Sequence, residues 1–236
     1  MNPTQGALFI DGHGYTVQPI SRVAALPFIC EIHYAKRVPS ISYSFGLYLD
    51  ALLVGVCTFG VPPSSTLLSG VCGAEYAKHV LELNRLCLKN NLKNEASRLV
   101  GGSLKMLGNK IIVSYADTKQ NHVGYVYQAT NAIYTGISTP FKEVYVVGKE
   151  HLHHATHKGH TFKEMEDMYG KEGIGFRERS PKHRYIFIVG SKTFKKKARG
   201  SLRYADLPYP KQIMEQSSSA IGLEPPLDCA CRSAGL

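Results

Sequence analysis

Two apolar runs, Tyr43 to Leu49 and Leu52 to Phe59, stand on either side of Asp50-Ala51, and that spacing predicts a β-hairpin. Ahead of it, Tyr15 to Ile20 predicts a first strand. Ser21 then caps helical text that continues to about Tyr34, with Pro27 either starting the helix or bending it. Val61-Pro62-Pro63-Ser64-Ser65 ends the hairpin, and a loop and a short helix near Ala74 to Lys78 follow. Val80 to Leu88 alternates apolar and polar residues like a half-buried strand. From Glu95 to Leu107, apolar residues at Ala96, Leu99, Val100, Leu104 and Leu107 fall at helical spacing, with Asn94 as N-cap. Lys110 to Tyr115 predicts a buried strand, Gly124 to Asn131 a short helix, Ala132 to Ile137 a strand and Tyr185 to Val189 the last strand.

A hairpin followed by strands alternating with helices predicts an α/β fold with a mixed, mostly antiparallel sheet and helices on both faces. Periodicity is lost from about 139 to 181, which is expected to be a basic, histidine-rich insertion in a single domain covering 1–190. Residues 191–236 are expected to form a basic segment and a Pro/Ser/Gly-rich tail. A chain of 236 residues, 44% of them hydrophobic, suits one domain with an insertion better than two.

Other features narrow the class. No stretch approaches the length of a membrane span and Met1 to Phe9 lacks the features of a signal peptide, so a soluble cytoplasmic protein without a membrane partner is expected. The cysteines at 30, 57, 72, 87, 229 and 231 form no metal-binding spacing. Cys30, Cys57 and Cys87 suit small core residues in a reducing compartment, and Cys229 and Cys231 a solvated tail pair. The formal charge is +10, and Lys142 to Lys211 holds sixteen Lys/Arg against eight Asp/Glu. A clustered excess of this kind points to a polyanion such as nucleic acid.

Several motifs occur in order: Ile32-His33-Tyr34, Ser44-Phe45-Gly46-Leu47-Tyr48, Phe59-Gly60, Leu81-Glu82-Leu83-Asn84-Arg85-Leu86, Ser114-Tyr115-Ala116-Asp117 and His122-Val123-Gly124-Tyr125-Val126-Tyr127-Gln128-Ala129. Together they resemble the Mom family of phage DNA-modification proteins, over roughly residues 25 to 137 and again from Arg184-Tyr185-Ile186. The resemblance implies a GNAT acetyltransferase-like fold, acetyl-CoA as cofactor and an association with iron. It implies transfer of an acetamido (methylcarbamoyl) group to the N6 of adenine in double-stranded phage DNA, which shields the DNA from host restriction. A homodimer stays open.

On that resemblance Tyr127 is the acid for a departing CoA thiolate, with Tyr125 its competitor; Asp117 and Ser114 join the catalytic set. Asp117 also suits a plain turn or N-cap. Arg85, inside an apolar strand, needs a partner. Three-residue spacing puts Glu82 on the opposite face, so a cross-strand carboxylate, Asp117 or Glu31, is expected. The wall and turn formed by Leu86, Cys87, Leu88, Lys93, Asn94, Ser97 and Arg98 suit the cofactor, its phosphates at the helix N-terminus, although the usual glycine-rich loop is missing. His33 and Tyr34 offer iron an imidazole and a phenolate if Asp117 or Tyr48 is near.

His151, His153, His154, His157 and His160 have no cysteine partners, and a DNA-facing loop is preferred to a zinc site. Lys182, Arg184, Lys195, Lys196, Lys197 and Arg199 are expected to contact DNA. Aromatic residues Tyr145, Phe162, Tyr169 and Phe176 lie among the cations, as stacking an extruded base requires. Two rivals remain: an ordinary N-acetyltransferase for a protein or small-molecule amine, and a non-enzymatic basic DNA-binding protein. A conventional adenine methyltransferase is disfavoured, because its glycine-rich loop and Asn/Asp-Pro-Pro-Tyr motif are both missing.

Overall fold

The computed structural model describes residues 9–10, 14–149 and 161–211. The histidines from 151 to 160 and Cys229 and Cys231 lie outside the described residues.

Asp50 and Ala51 both take positive φ (46° and 68°), as a two-residue hairpin turn requires. They reverse the chain between β3 (Tyr43–Leu49) and β4 (Leu52–Gly60). Two strands precede this hairpin, β1 (Phe9–Ile10) and β2 (Tyr15–Pro19). Six follow it: β5 (Val80–Leu88), β6 (Lys110–Asp117), β7 (Ile133–Ile137), β8 (Phe141–Val146), β9 (Ile174–Arg179) and β10 (Lys182–Val189). An eight-stranded sheet has the order β1-β2-β3-β4-β5-β6-β10-β7, and β8 pairs with β9 alone. In the large sheet only β5 and β6 are parallel.

The helices are α1 (Arg22–Pro27), α2 (Ser65–Gly70), α3 (Glu95–Met106), α4 (Tyr125–Ala129), α5 (Phe162–Tyr169) and α6 (Lys192–Gly200). Ser21 caps α1 by accepting from the Ala24 amide at 3.1 Å. Pro27 has no N–H to continue the ladder, and the chain passes into a π-helical turn over Phe28–Ile32, closed by His33 N–H to Phe28 C=O at 3.0 Å. Helix α3 lays Leu99, Val100 and Leu104 on one face of the sheet, against Val17, Phe45, Leu81, Leu83 and Ile112. Gly102 permits the contact, since a Cβ there would sit 2.8 Å from Val17 Cγ2. The other face is covered by α1 through Ala25, by the π-helical turn through Phe28 and Ile29, and by α2 and α6, where Ala198 packs near Val80 and Ile111. The expected mixed, mostly antiparallel sheet with helices on both faces is present.

Several local expectations are corrected. Helix α2 fills what looked like loop, and Cys30 is exposed. Asn94 takes a left-handed conformation (φ 67°) with no side-chain cap. The insertion has its own structure: α5 begins with a capping box between Thr161 and Glu164 and packs Met165 on Val146 and Ile174 of the β8–β9 pair. Short strands hid this unit, as did Glu143, a buried charge in an otherwise alternating strand. Glu143 is held by Arg177 and Arg179, each at 2.6 Å. Burial would raise its pKa, but the two guanidiniums outweigh that and hold it far below the usual range. Nor is the insertion basic, since residues 139–181 carry seven Lys/Arg and seven Asp/Glu, whereas 182–211 carry nine against one. Beyond Ser191 the basic text begins as ordered α6. Residues after it lie along the sheet, with Leu207 N–H to Tyr134 C=O at 2.9 Å and Tyr209 Oη to Ala132 C=O at 2.6 Å.

Candidate active site

The site begins with one extra residue in β5. Thr58 of β4 pairs with Arg85 and Phe59 with Leu83, so Asn84 is a β-bulge. Its side chain fixes the bulge, accepting from Thr58 Oγ1 at 2.6 Å and donating to Ser40 C=O at 2.8 Å. Gly60 makes room, because a Cβ there would collide with Ser40 O at 1.8 Å. Strands β5 and β6 pair from Val80↔Ile111 to Glu82↔Val113 and then part. A cleft of about 750 Å³ opens between them, lined among others by His33, Tyr34, Glu82, Arg85, Asp117 and Tyr127.

The bulge also corrects the expected geometry of Arg85. It shifts the alternation by one residue, so Glu82 and Arg85 face the same cleft. Arg85 finds no cross-strand carboxylate: it donates to Arg37 C=O (2.9 and 3.3 Å) and to Asn84 C=O (2.6 Å). Glu82 is a site residue that the sequence reading passed over. Burial pushes its carboxyl above the ordinary range, against the lowering pull of Lys182 and Arg85.

Gly124 docks the segment that carries Tyr127. It has φ +79°, and a Cβ would sit 2.4 Å from the Tyr185 ring. Tyr185 Oη donates to Val123 C=O and accepts from Gln128 Nε2 at 3.1 Å. Tyr127, 8% exposed, is thereby held 5.3 Å from the Tyr185 ring and 6.3 Å from Phe187, whereas Tyr125 is 57% exposed. Burial pushes the Tyr127 phenol up to about 12, against a lowering hydrogen bond with Ser114. Ser114 Oγ also donates to Leu83 C=O at 3.3 Å.

Asp117 lies at the cleft end of β6, where it caps the following turn. Oδ1 accepts from Ser180 Oγ (2.6 Å) and the Lys119 amide (3.0 Å), and Oδ2 faces Lys182 Nζ at 3.6 Å. Burial alone would raise this carboxyl, but these donors keep it below the usual range. His33 Nδ1 accepts from the Ala35 amide at 3.1 Å, and the ring stacks on Tyr34 at 4.4 Å. Burial and then the Arg85 charge lower His33 to about 4, so the ring is neutral at pH 7. Burial and Asp117 raise Tyr34, which favours phenol over phenolate. The three expected iron donors, His33, Tyr34 and Asp117, share this cleft, with His33 bonded through Nδ1 alone and Asp117 bonded to Ser180, Lys119 and Lys182. Among the described residues no group of three or more His, Cys, Asp or Glu could hold a metal.

Leu86, Cys87 and Leu88 form one wall of the cleft, joined by Asn91 and Ala96, which the sequence reading did not single out. Lys93 and Asn94 are exposed beyond it. At the start of α3 the buried Glu95 carboxylate accepts from the Leu92 amide (2.8 Å) and Tyr15 Oη (3.2 Å), so the chain itself supplies an anion there. Ser97 and Arg98 face a different groove, together with Lys195, Lys196 and Arg199 of α6. Lys182 belongs to the reactive cleft. Arg184 is bound into the fold by Thr135 Oγ1 (2.9 Å), Thr135 C=O (3.2 Å) and the Tyr204 ring (3.6 Å). Lys197 stands exposed on α6, and Arg199 pairs with Asp206.

Among the described residues no helix is long and apolar enough to cross a membrane. No curated protein matches the sequence. Among solved structures, an N-acetyltransferase from Staphylococcus aureus Mu50 is similar at 13% identity, covering 74% of this chain and 98% of its own (TM-score 0.43). The ribosomal-protein-S18-alanine N-acetyltransferase from Escherichia coli is similar at 8% identity, with 75% and 95% covered (TM-score 0.42). So is a Salmonella typhimurium protein described as an acetyltransferase and solved with its cofactor acetyl-CoA, at 8% identity, with 75% and 95% covered (TM-score 0.42). The model of the Mom protein family matches residues 14–211, and the chain belongs to that family.

Proposed function

We propose that this protein is a transferase that binds acetyl-CoA in the cleft between β5 and β6 and modifies the N6 amino group of adenine in double-stranded DNA. By the same reading, its product protects phage DNA from restriction. The observation that carries the proposal is the meeting of Tyr127, Glu82 and Arg85 in the cleft where the two parallel strands part. Membership of the Mom family supports adenine in DNA as the substrate of this reading.

When bound, acetyl-CoA supplies an acyl carbon activated by a thiolate leaving group. Leu86, Cys87 and Leu88 would hold it along the open edge of β5. Tyr127, neutral at physiological pH, keeps a proton available for the departing sulfur. Glu82, raised toward neutrality, is placed to take a proton from the attacking amine, and Arg85, held by Arg37 C=O, orients the polar end of the substrate. An acetamido product is joined to N6 through a methylene carbon, whereas attack at a thioester carbonyl joins N6 to that carbonyl. Binding, orientation and the two proton transfers fall to these residues.

Nucleoside mass spectrometry of DNA from cells expressing the chain tests the proposal. Modified adenine is expected: an acetyl increment is the product of the acyl transfer described above, and an acetamido increment would mean that its nitrogen and its N–CH2 bond come from a further donor and step. Unmodified adenine with folded protein present would favour an N-acetyltransferase for another amine.

A further inference from the structure

Among the described residues a second cavity exceeds the β5–β6 cleft in volume. A groove of about 1270 Å³ lies at the opposite end of β6, beside Gly108 and Asn109, which precede that strand. Its floor is the end of β10, Phe187 to Val189. Strand β7 pairs with β10 only as far as Ile133↔Ile186, so among the described residues this stretch is a sheet edge. One wall is α3, with Arg98 and Lys105; the other is α6, with Lys195, Lys196 and Arg199. These five cations line the groove, Arg199 paired with Asp206 beside it, and among the described residues no carboxylate belongs to the lining. The segment 182–211 carries nine Lys/Arg against one Asp/Glu, so most of the excess charge lies in the stretch that supplies Lys195, Lys196 and Arg199 and not on the charge-balanced insertion.

We propose that this groove binds the phosphate backbone of DNA at a distance from the reactive cleft. The inference rests on the adenine reading above and adds to it where the duplex is held. An all-cationic groove suits a polyanion, since each phosphate neutralised releases condensed counterions. The eight residues of β6 separate groove and cleft by about 23 Å, roughly seven base pairs of B-form duplex. The groove therefore contacts backbone well beyond the target base. It adds affinity without sequence information and leaves base recognition to the cleft.

The test is duplex binding by the full chain, measured by fluorescence anisotropy across a salt series. The triple variant Lys105→Gln, Lys195→Gln, Lys196→Gln removes three exposed charges from the groove. It is expected to reduce the slope of log affinity against log salt by about two to three. The double variant Lys192→Gln, Lys197→Gln, which removes charge from α6 outside the groove lining, is expected to change the slope by less than one. Equal changes per charge in the two variants would overturn the groove in favour of diffuse attraction. An unchanged slope in the triple variant, with new aggregation, would mean that the lysines only guard a sheet edge.

Saturating acetyl-CoA is expected to leave duplex affinity unaltered. Displacement of the duplex would assign the groove to the phosphates of the cofactor. Displacement by polyglutamate as potent per charge as by duplex would assign it to an acidic peptide strand. Failure of the adenine reading looks different: groove-dependent binding would persist without modified adenine, whereas failure of the groove would leave modified adenine with a slope that the triple variant does not move.

Discussion

The two ends of β6 have been given opposite electrostatic environments. At the Asp117 end, acids and bases of both signs converge in a half-buried cleft, nearly every one has a named protein partner, and several are moved from their ordinary titration ranges. At the Lys110 end, cations of one sign face an open groove with no carboxylate among its lining residues. Low effective dielectric strengthens the first arrangement, because proton transfer depends on desolvated groups at fixed positions. The second depends on accumulated charge, which tolerates solvent and loose geometry but is screened by salt. Substitutions at the two ends should therefore change different observables.

The largest effect belongs to the cleft. Tyr127→Phe and Glu82→Gln are each expected to lower the turnover of adenine modification by about 10²-fold or more, the usual scale for a lost general acid or base. Duplex affinity should stay within about twofold of the wild type. Ser114 keeps Leu83 C=O as a partner when the phenol is gone, so Tyr127→Phe should remain folded. The rate should rise with pH through the Glu82 titration, which lies above the ordinary carboxylate range, and hold until Tyr127 begins to ionise toward 12. Full turnover in Tyr127→Phe would pass the acid role to Tyr125.

Next in size is a substitution that touches the cleft only through its support. Gly124→Ala puts a methyl 2.4 Å from the Tyr185 ring at a φ of +79°. Overpacking of this kind costs about 1–3 kcal/mol of unfolding free energy. Urea denaturation should show that loss, and modification should fall with it because the segment carrying Tyr127 no longer seats. A variant as stable as wild type would mean that docking on Tyr185 does not set Tyr127.

Much of the scaffold of this comparison was legible in the chain. The alternation of Val80 to Leu88, the turn at Asp50-Ala51 and the helical spacing after Glu95 each follow from local periodicity, and all three elements form. The bulge at Asn84 was not legible: an extra residue leaves no mark on a strand whose partner is unknown, and without it Glu82 and Arg85 count onto opposite faces. The same limit hid the groove. Arg98 is near the α3 N-terminus in sequence and so is read with the cofactor, while Lys195 and Lys196 are read as DNA contacts in a separate basic segment. Only the packing of α6 beside the end of β10 brings them together. The β8–β9 unit was missed because Glu143, the charge that interrupts its pattern, is satisfied from the facing strand by Arg177 and Arg179.

At the groove the expected effect is moderate and of a different kind. The triple variant Lys105→Gln, Lys195→Gln, Lys196→Gln should raise the DNA concentration needed for half-maximal modification about tenfold or more at moderate salt. The maximal rate at saturating DNA should be retained. A drop in the maximal rate with unchanged half-saturation would place these lysines in the chemistry and remove the distinction between the two ends.

The smallest effect concerns His33 and the stability of the cleft rather than its turnover. Burial and then Arg85 hold the imidazole near 4, against an ordinary 6.5. Above pH 6.5 the ring is neutral in both the folded and unfolded chains, and it has no influence on the balance between them. Between 6.5 and about 4 the unfolded chain takes up a proton that the folded chain refuses, so stability falls as pH falls through this window. Below about 4 both forms carry the proton and the loss levels off. Partial solvation of the site limits the loss to about 1–2 kcal/mol. His33→Asn supplies the control, since an asparagine oxygen can accept from the amide two residues on, as His33 Nδ1 does from Ala35. Urea midpoints of the two proteins should run parallel above pH 6.5 and separate between pH 6.5 and 4, with the wild type losing more. Parallel curves throughout would mean that His33 is solvated in the fold and meets the Arg85 charge only through water, and the cleft would then share the screened electrostatics of the groove.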